Sequence, residues 1–423
     1  MEKKLNILDL FRLGIGQIFG SGILTMLGIA ITMTGKSVFL SILISGFLVI
    51  FSILPSVFLS SLKQLDGGDY SRIKLIAGEY WSSFYIFTFL LMNFSISMYA
   101  ISFSQYFNVV NSSVEPRSVS IIIVTILFVV QLLGDKNSKG VQKLTFMFIL
   151  ISYPLFIFFG FKNIRMVEFF SGDLFPKGTM GMLKAGAYMS FSVSGSQLLI
   201  NYSSRAKKPT RDIPLVMIVS TIFVTLIYSL MSIVAAGVLP ISEVSGKPLT
   251  LVAQRIMPSF AYLIFIIGGA LFGLMGTMNS QIGGSVFPLI QACKDNVLPS
   301  KLLKYKLKNG AHFGILFIMY VIVLLPIILG WDIALISNTV IVLVNFVNFI
   351  SGIATIQFFK RNKMMINNHY KMKLIGLIMS LVAMLIMIIL VLGNLNKLGI
   401  TLNIVLLVAG LLFSSIMGKN QAI

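Results

Sequence analysis

The stretch Leu13-Gly14-Ile15-Gly16-Gln17-Ile18-Phe19-Gly20-Ser21-Gly22-Ile23 decides how this chain is read. It lies inside an apolar run longer than the roughly 20 residues a helix needs to cross a bilayer. Yet it is crowded with glycine, which costs a helix about 1 kcal/mol per residue relative to alanine. A second stretch of this kind, Phe191-Ser192-Val193-Ser194-Gly195-Ser196-Gln197, interrupts a later apolar run, and its serines offer the backbone competing local hydrogen bonds. A helix unwinds at membrane depth only where the freed backbone is buried in protein or lines a cavity. Two breaks therefore predict two places where bare main chain does work.

Composition sets the surroundings. The 423 residues are 57% hydrophobic and 11% charged, with a mean hydropathy of +0.95. Soluble proteins carry roughly 25% charged residues, so a soluble enzyme is excluded, and a disulfide scaffold falls because Cys293 is the only cysteine. The fold class predicted is all-α integral membrane. Hydropathy delimits twelve spans, at about 7–32, 37–62, 80–108, 118–134, 141–161, 181–203, 213–238, 260–292, 313–329, 333–358, 373–392 and 399–417. Met1 to Lys4 lack a small-residue cleavage site, so the first run reads as a retained span.

The net charge of +20 follows from topology. With the N-terminus in the cytoplasm, 24 of the 33 Lys and Arg fall in inside loops, in clusters such as Arg205 to Arg211, Lys301 to Lys308 and Lys360 to Lys373. That is the bias that positive residues impose on short loops. The lipid bilayer is the expected partner, nucleic acid is not, and both termini are predicted cytoplasmic in a cell membrane of bacterial type.

The breaks fall in spans one and six, the matching positions of two five-helix halves. Gly-interrupted spans at corresponding positions of inverted repeats point to a transporter's binding site. Unwound ends offer N–H groups to a carboxylate and C=O groups to an ammonium, which suits a zwitterionic amino acid. The competing reading is that Gly16 and Gly20 form a GxxxG packing face and the serines bond within the bundle.

At these residues the chain resembles the amino acid–polyamine–organocation transporters, which have a five-plus-five inverted-repeat (LeuT-like) fold with discontinuous helices 1 and 6. Gly14-Ile15-Gly16 with Gly20-Ser21-Gly22-Ile23 is similar to the family's first-helix signature. Gly67-Gly68-Asp69-Tyr70, with Gly78 beyond, resembles the Gly-Gly-x-Tyr loop after helix 2. Gly134 with Val141-Gln142 resembles the entry to helix 5, and Lys208-Pro209-Thr210-Arg211-Asp212-Ile213-Pro214 the loop after helix 6. Gly276-Thr277-Met278-Asn279 and Leu298-Pro299 look like the start and exit of helix 8. The resemblance implies one repeat over 7–161, an external loop at 162–180, a second repeat over 181–358, a cytoplasmic loop at 359–372 and two further helices over 373–417. Residues 1–6 and 418–423 are then cytoplasmic tails.

It also implies roles. The substrate carboxylate would sit on Ser21 and the backbone N–H of Gly22. Its amino group would meet carbonyls near Ile18 and along Phe191 to Ser194. Phe191 would close over the substrate, and Gly195 would leave space for its side chain. The departures bear on mechanism: the helix-5 lysine of many members is Ile149, the acidic residue of helix 6 is Gln197, and the arginine of helix 8 is Phe287. Coupling to Na⁺ or H⁺ therefore stays open, with Thr277 and Asn279 as candidates for ion coupling or gating and Thr277 placed to help hold Na⁺ beside first-helix carbonyls.

Helix 3 carries Asn93, Ser97 and Ser104, and helix 10 carries Asn338, Asn345 and Asn348. Helix–helix hydrogen bonding accounts for most such residues in hydrocarbon. His312 and His369 have no partners at metal-ligand spacing, and neither a P-loop nor a dinucleotide loop is present. No enzyme, cofactor or metal centre is expected. The function predicted is secondary transport of a small neutral L-amino acid by alternating access, as permease or exchanger. A non-transporting nutrient receptor of the same fold is the alternative.

Overall fold

The computed structural model describes residues 4–19, 22–62, 67–164, 169–170, 174–362 and 370–420. Among them the chain is helical throughout, with no strand. The first helix, α1 (Ile7–Ile18), starts at a reciprocal cap in which the Asn6 side chain accepts from the Asp9 N–H and the Asp9 carboxylate accepts from that of Asn6. It is followed by α2 (Gly22–Thr34), α3 (Val38–Ser52), α4 (Leu54–Leu62) and α5 (Gly68–Met92). Then come α6 (Phe94–Val110), α7 (Pro116–Leu132), α8 (Asp135–Asn163) and α9 (Gly178–Val193). A 3-10 helix (Ser196–Arg205) leads to α10 (Pro209–Gly237), and α11 (Phe272–Lys294) follows a π-helical lead-in at Ile264–Leu271. Last are α12 (Phe313–Ile328), α13 (Ile333–Arg361), α14 (Tyr370–Leu392) and α15 (Lys397–Asn420).

Among the described residues, eight helical segments are long and apolar enough to cross a membrane, and Pro116–Leu132 and Phe313–Ile328 are shorter apolar helices. Two of the eight, Gly22–Leu62 and Gly68–Val110, run to 41 and 43 residues, about twice a single crossing. Both are interrupted by glycine. Gly35 (φ 67°) turns the chain between α2 and α3, and Gly78 (φ 86°, ψ −175°) kinks α5. The Gly67-Gly68-Asp69-Tyr70 segment, expected as a loop, is thereby a short helical arm between Gly67 (φ 85°) and the Gly78 kink. Glycine fits all three because its lack of Cβ removes the penalty of a positive φ.

Polar side chains tie the apolar helices together. Ser41 and Ser45 of α3 donate to the carbonyls of Met182 (2.9 Å) and Gly186 (2.7 Å) on α9. In α6, Ser97 donates to Val323 O of α12, while Asn93 Oδ1 accepts from Ser285 of α11 at 2.9 Å. Such bonds hold helices whose apolar surfaces gain nothing from leaving water. The expectation for helix 3 holds at Asn93 and Ser97. The asparagines of α13 behave differently: Asn345 bonds only within its own helix, to Ile341 O.

Candidate functional site

The first interrupted stretch ends its helix where the glycines begin. Phe19 leaves α1 in an extended conformation (φ −68°, ψ 137°), and the chain is helical again from Gly22. A helix that ends inside the bundle leaves up to four carbonyls without intrahelical partners. Hydroxyls from neighbouring helices reach them. Tyr228 of α10 donates to Ile18 O at 2.8 Å, and Thr277 of α11 donates to Phe19 O at 2.7 Å. Thr277 Oγ1 also lies 3.2 Å from Gly273 O and 3.5 Å from Gly16 O, so four oxygens converge there. The ring of Phe19 is enclosed by Tyr153, Phe223 and Tyr228.

The second stretch breaks in the same manner. Helix α9 ends at Val193, Ser194 is extended (φ −85°, ψ 172°), and Gly195 takes φ 123°, a conformation L side chains rarely adopt. The chain then resumes as a 3-10 helix. Ser194 turns back on its own helix end, its N–H (3.2 Å) and hydroxyl (2.8 Å) both donating to Phe191 O.

The two breaks touch. A Cβ on Gly195 would lie 3.4 Å from Gln17 O, and one on Gly22 would fall 2.1 Å from the Ser192 Cβ. Glycine at position 22 is what lets α2 and α9 approach to backbone contact. Phe191 stacks on Tyr99 of α6, ring centroids 6.3 Å apart at 29°.

Of the residues singled out from sequence, Ile18, Gly22, Phe191, Ser194 and Gly195 therefore converge, and Thr277 joins them through the α1 carbonyls. Ser21 and Gly20 lie outside the described residues. Asn279 is engaged elsewhere: its backbone oxygen and Oδ1 each accept from Gln131 Nε2 of α7 at 2.8 Å. Gly16 serves packing, since its missing Cβ makes room for the Gln142 amide. Ile149 is fully buried.

Sequence reading missed three participants. Tyr228 was one, and its signal was the polar series Thr221, Thr225 and Tyr228 at helical spacing along α10, with Thr221 itself 3.1 Å from Ser196 past the second break. Gln17 and Gln142 are the others: both are buried, and neither amide has a hydrogen-bond partner in the protein. Polar groups left unpaired in an interior are rare, and here two lie together beside the first break.

Two spaces adjoin the breaks. One is a hollow beside Phe191 and Ser194, bordered by α3, α9, α13 and α14. The other is a cavity of about 350 Å³ over α2 and α6, lined in part by Thr25, Gln105, Lys247 and Asp332.

The family model for amino acid permeases matches residues 5–414, nearly the whole chain. The chain is 25% identical over 307 residues to an uncharacterized protein of Methanocaldococcus jannaschii, covering 70% of each chain. It is 24% identical over 337 residues to the branched-chain amino acid permease BcaP of Bacillus subtilis, covering 74% of this chain and 72% of that one. Cationic amino acid transporter 1 of Arabidopsis thaliana is 22% identical over 341 residues, which cover 75% of this chain and 56% of the plant protein. These relatives with named activities are transporters, not enzymes, which agrees with the reading from motifs. With its apolar helices and a family match that leaves out only the ends, this multi-pass membrane protein belongs to the amino acid permease family.

Proposed function

We propose that the chain is a secondary transporter that moves a small neutral L-amino acid by alternating access. The observation that carries this reading is the contact between the two helix breaks, Gly22 against Ser192 and Gly195 against Gln17 and Ile18. The start of α2 presents N–H groups and the positive end of its dipole, which suits a carboxylate, with Ser21 as the adjoining hydroxyl. The end of α9 presents carbonyls, which suit an ammonium. The carbonyl of Ile18 already accepts one bond, from Tyr228, but a carbonyl oxygen has a second lone pair; that of Phe191 accepts two from Ser194, which would have to yield one to an ammonium.

Charge discriminates among substrates. Gln197 stands where the resemblance places an acidic residue, which leaves no acid there to recognise a basic side chain, so a neutral side chain fits best. In the five-plus-five reading, Gly22–Leu62 and Gly68–Val110 each hold more than one crossing, which brings the count toward twelve with both termini cytoplasmic. The 350 Å³ cavity is then the external vestibule and the Phe191–Tyr99 stack the lid beneath it.

Coupling follows from the same atoms. No titratable side chain stands at positions 149 or 197, so a proton has no carrier there. Thr277 Oγ1 with the carbonyls of Gly16, Phe19 and Gly273 gives four neutral oxygens, the donor type that alkali cations take. Sodium is the coupling ion in this account.

The test is counterflow in proteoliposomes loaded with unlabelled alanine and exposed to labelled alanine. Accumulation of label supports transport. Saturable binding without accumulation would make the chain a receptor.

A further inference from the structure

The hollow beside the second break has a lining that the transport reading leaves unused. Its polar side chains are Ser52 of α3, Ser190 of α9, Ser194, Gln197, and Asn345 and Asn348 of α13. It holds about 20 Å³, room for one water-sized group.

The hydrogen bonds around it are unevenly distributed. The three serines spend their protons on their own helices, on Val49 O (2.9 Å), Ala187 O (2.6 Å) and Phe191 O (2.8 Å). Asn345 gives its amide N–H to Ile341 O at 3.0 Å. Asn348 is only 9% exposed, lines the hollow and has no hydrogen-bond partner among the described residues. Gln197, half-buried on the same hollow, also has none. An amide carries both donors and acceptors, and these two offer theirs to the hollow and not to protein partners. The hollow is thus built to receive a group that both donates and accepts.

We propose that this hollow selects the side-chain head of the substrate, and that the transporter prefers amino acids ending in a hydroxyl, of the size of serine or threonine. The proposal rests on the transport reading and narrows its substrate class. Phe191 and Ser194 border both the helix break and the hollow, so a substrate held by its main chain at the break directs its side chain here. None of the residues lining the hollow is acidic, which disfavours a cationic head. An aliphatic head would cover the amides of Asn348 and Gln197 without pairing them, and sites built to bond a polar group reject analogues that lack it.

The experiment is counterflow with the full-length chain in proteoliposomes, comparing alanine, serine, valine and lysine. Serine is expected to exceed valine in kcat/KM by about tenfold or more, and Asn348→Leu is expected to erase that ratio. Should Asn348→Leu fail to fold, Gln197→Leu, at a half-exposed position, reads the same ratio. Equal rates for serine and valine in the native chain would overturn the proposal, as would a ratio unchanged in the folded variant, which would make the hollow a seat for structural water. Movement of alanine with no preference among side chains leaves the transport reading standing and removes only this one. Failure of every amino acid to move removes both.

Discussion

The Tyr228 hydroxyl donates to the carbonyl of Ile18 at 2.8 Å, so a helix 210 residues away in sequence holds the broken end of the first. Both residues are fully buried. The bond supplies from α10 what the intrahelical ladder of α1 can no longer give, and it fixes the direction in which the remaining lone pair of Ile18 O points.

Tyr228→Phe removes that donor and little volume. A buried carbonyl deprived of its partner costs about 1–3 kcal/mol, so the melting temperature in detergent should fall by a few degrees. Transport should drop more than stability does, because the carbonyl is then free to turn away from the substrate. A variant with native melting and native uptake would place the acceptor geometry elsewhere.

Gly22→Ala and Gly140→Ala make a contrasting pair. The new Cβ at position 22 would sit 2.1 Å from the Ser192 Cβ and 2.2 Å from its Cα, backbone that has no room to yield. At position 140 nothing lies within 4 Å. The first substitution should destabilise by about 2 kcal/mol or more through forced separation of α2 and α9. The second should stay within about 0.5 kcal/mol of the native chain, as surface substitutions do. Chemical denaturation of the two variants side by side reads the difference.

Thr277→Val keeps the shape of the side chain and deletes the oxygen shared by Gly16, Phe19 and Gly273. Uptake by the native protein should rise with Na⁺ and vary little between about pH 6 and 8, since the described side chains at the break include no group that ordinarily titrates in that range. The valine variant should lose the sodium stimulation. A steep proton dependence in the native protein would contradict the assignment of sodium.

Asn201, in the 3-10 helix, gives its amide N–H to Gly284 O of α11 at 3.2 Å and lies 3.4 Å from the Asp69 N–H at the start of α5. A backbone bridge joins the same region to the N-terminal segment: Leu5 N–H donates to Arg205 O at 2.7 Å, and Lys207 N–H to Leu5 O at 2.9 Å. The halves below the two breaks are therefore linked to each other and latched to α5 and α11. Asn201→Ala should release the latch. Hydrogen exchange across Ser196–Arg205 should quicken while the amides of α6 keep their protection.

What the sequence made legible was mostly backbone. Glycine at 195 sits at a φ that L side chains rarely adopt, and the breaks at Phe19 and Ser194 follow from glycine and serine where a span should be continuous. The segment from Gly68 to Ala77 was less legible: a motif familiar as a loop is helical, because glycines at both ends set it apart without unwinding its middle. The 3-10 form of Ser196–Arg205 escaped for a similar reason, since an apolar span does not announce its pitch. Side-chain partners were hardest. Tyr228, Gln17 and Asn348 become informative only through what stands opposite them, and a one-dimensional pattern does not carry contacts between α10 and α1 or between α13 and α9.

The central claim is that two broken helices hold both ends of one amino acid. Thermal stability of the purified protein tests it most directly, with alanine compared against propionate, which lacks the ammonium, and ethylamine, which lacks the carboxylate. A ligand at about 100 times its Kd stabilises by about 2.7 kcal/mol. The account predicts that alanine raises the melting temperature and that neither half does so at the same concentration. Equal stabilisation by either half alone, or none by any neutral amino acid, would contradict it.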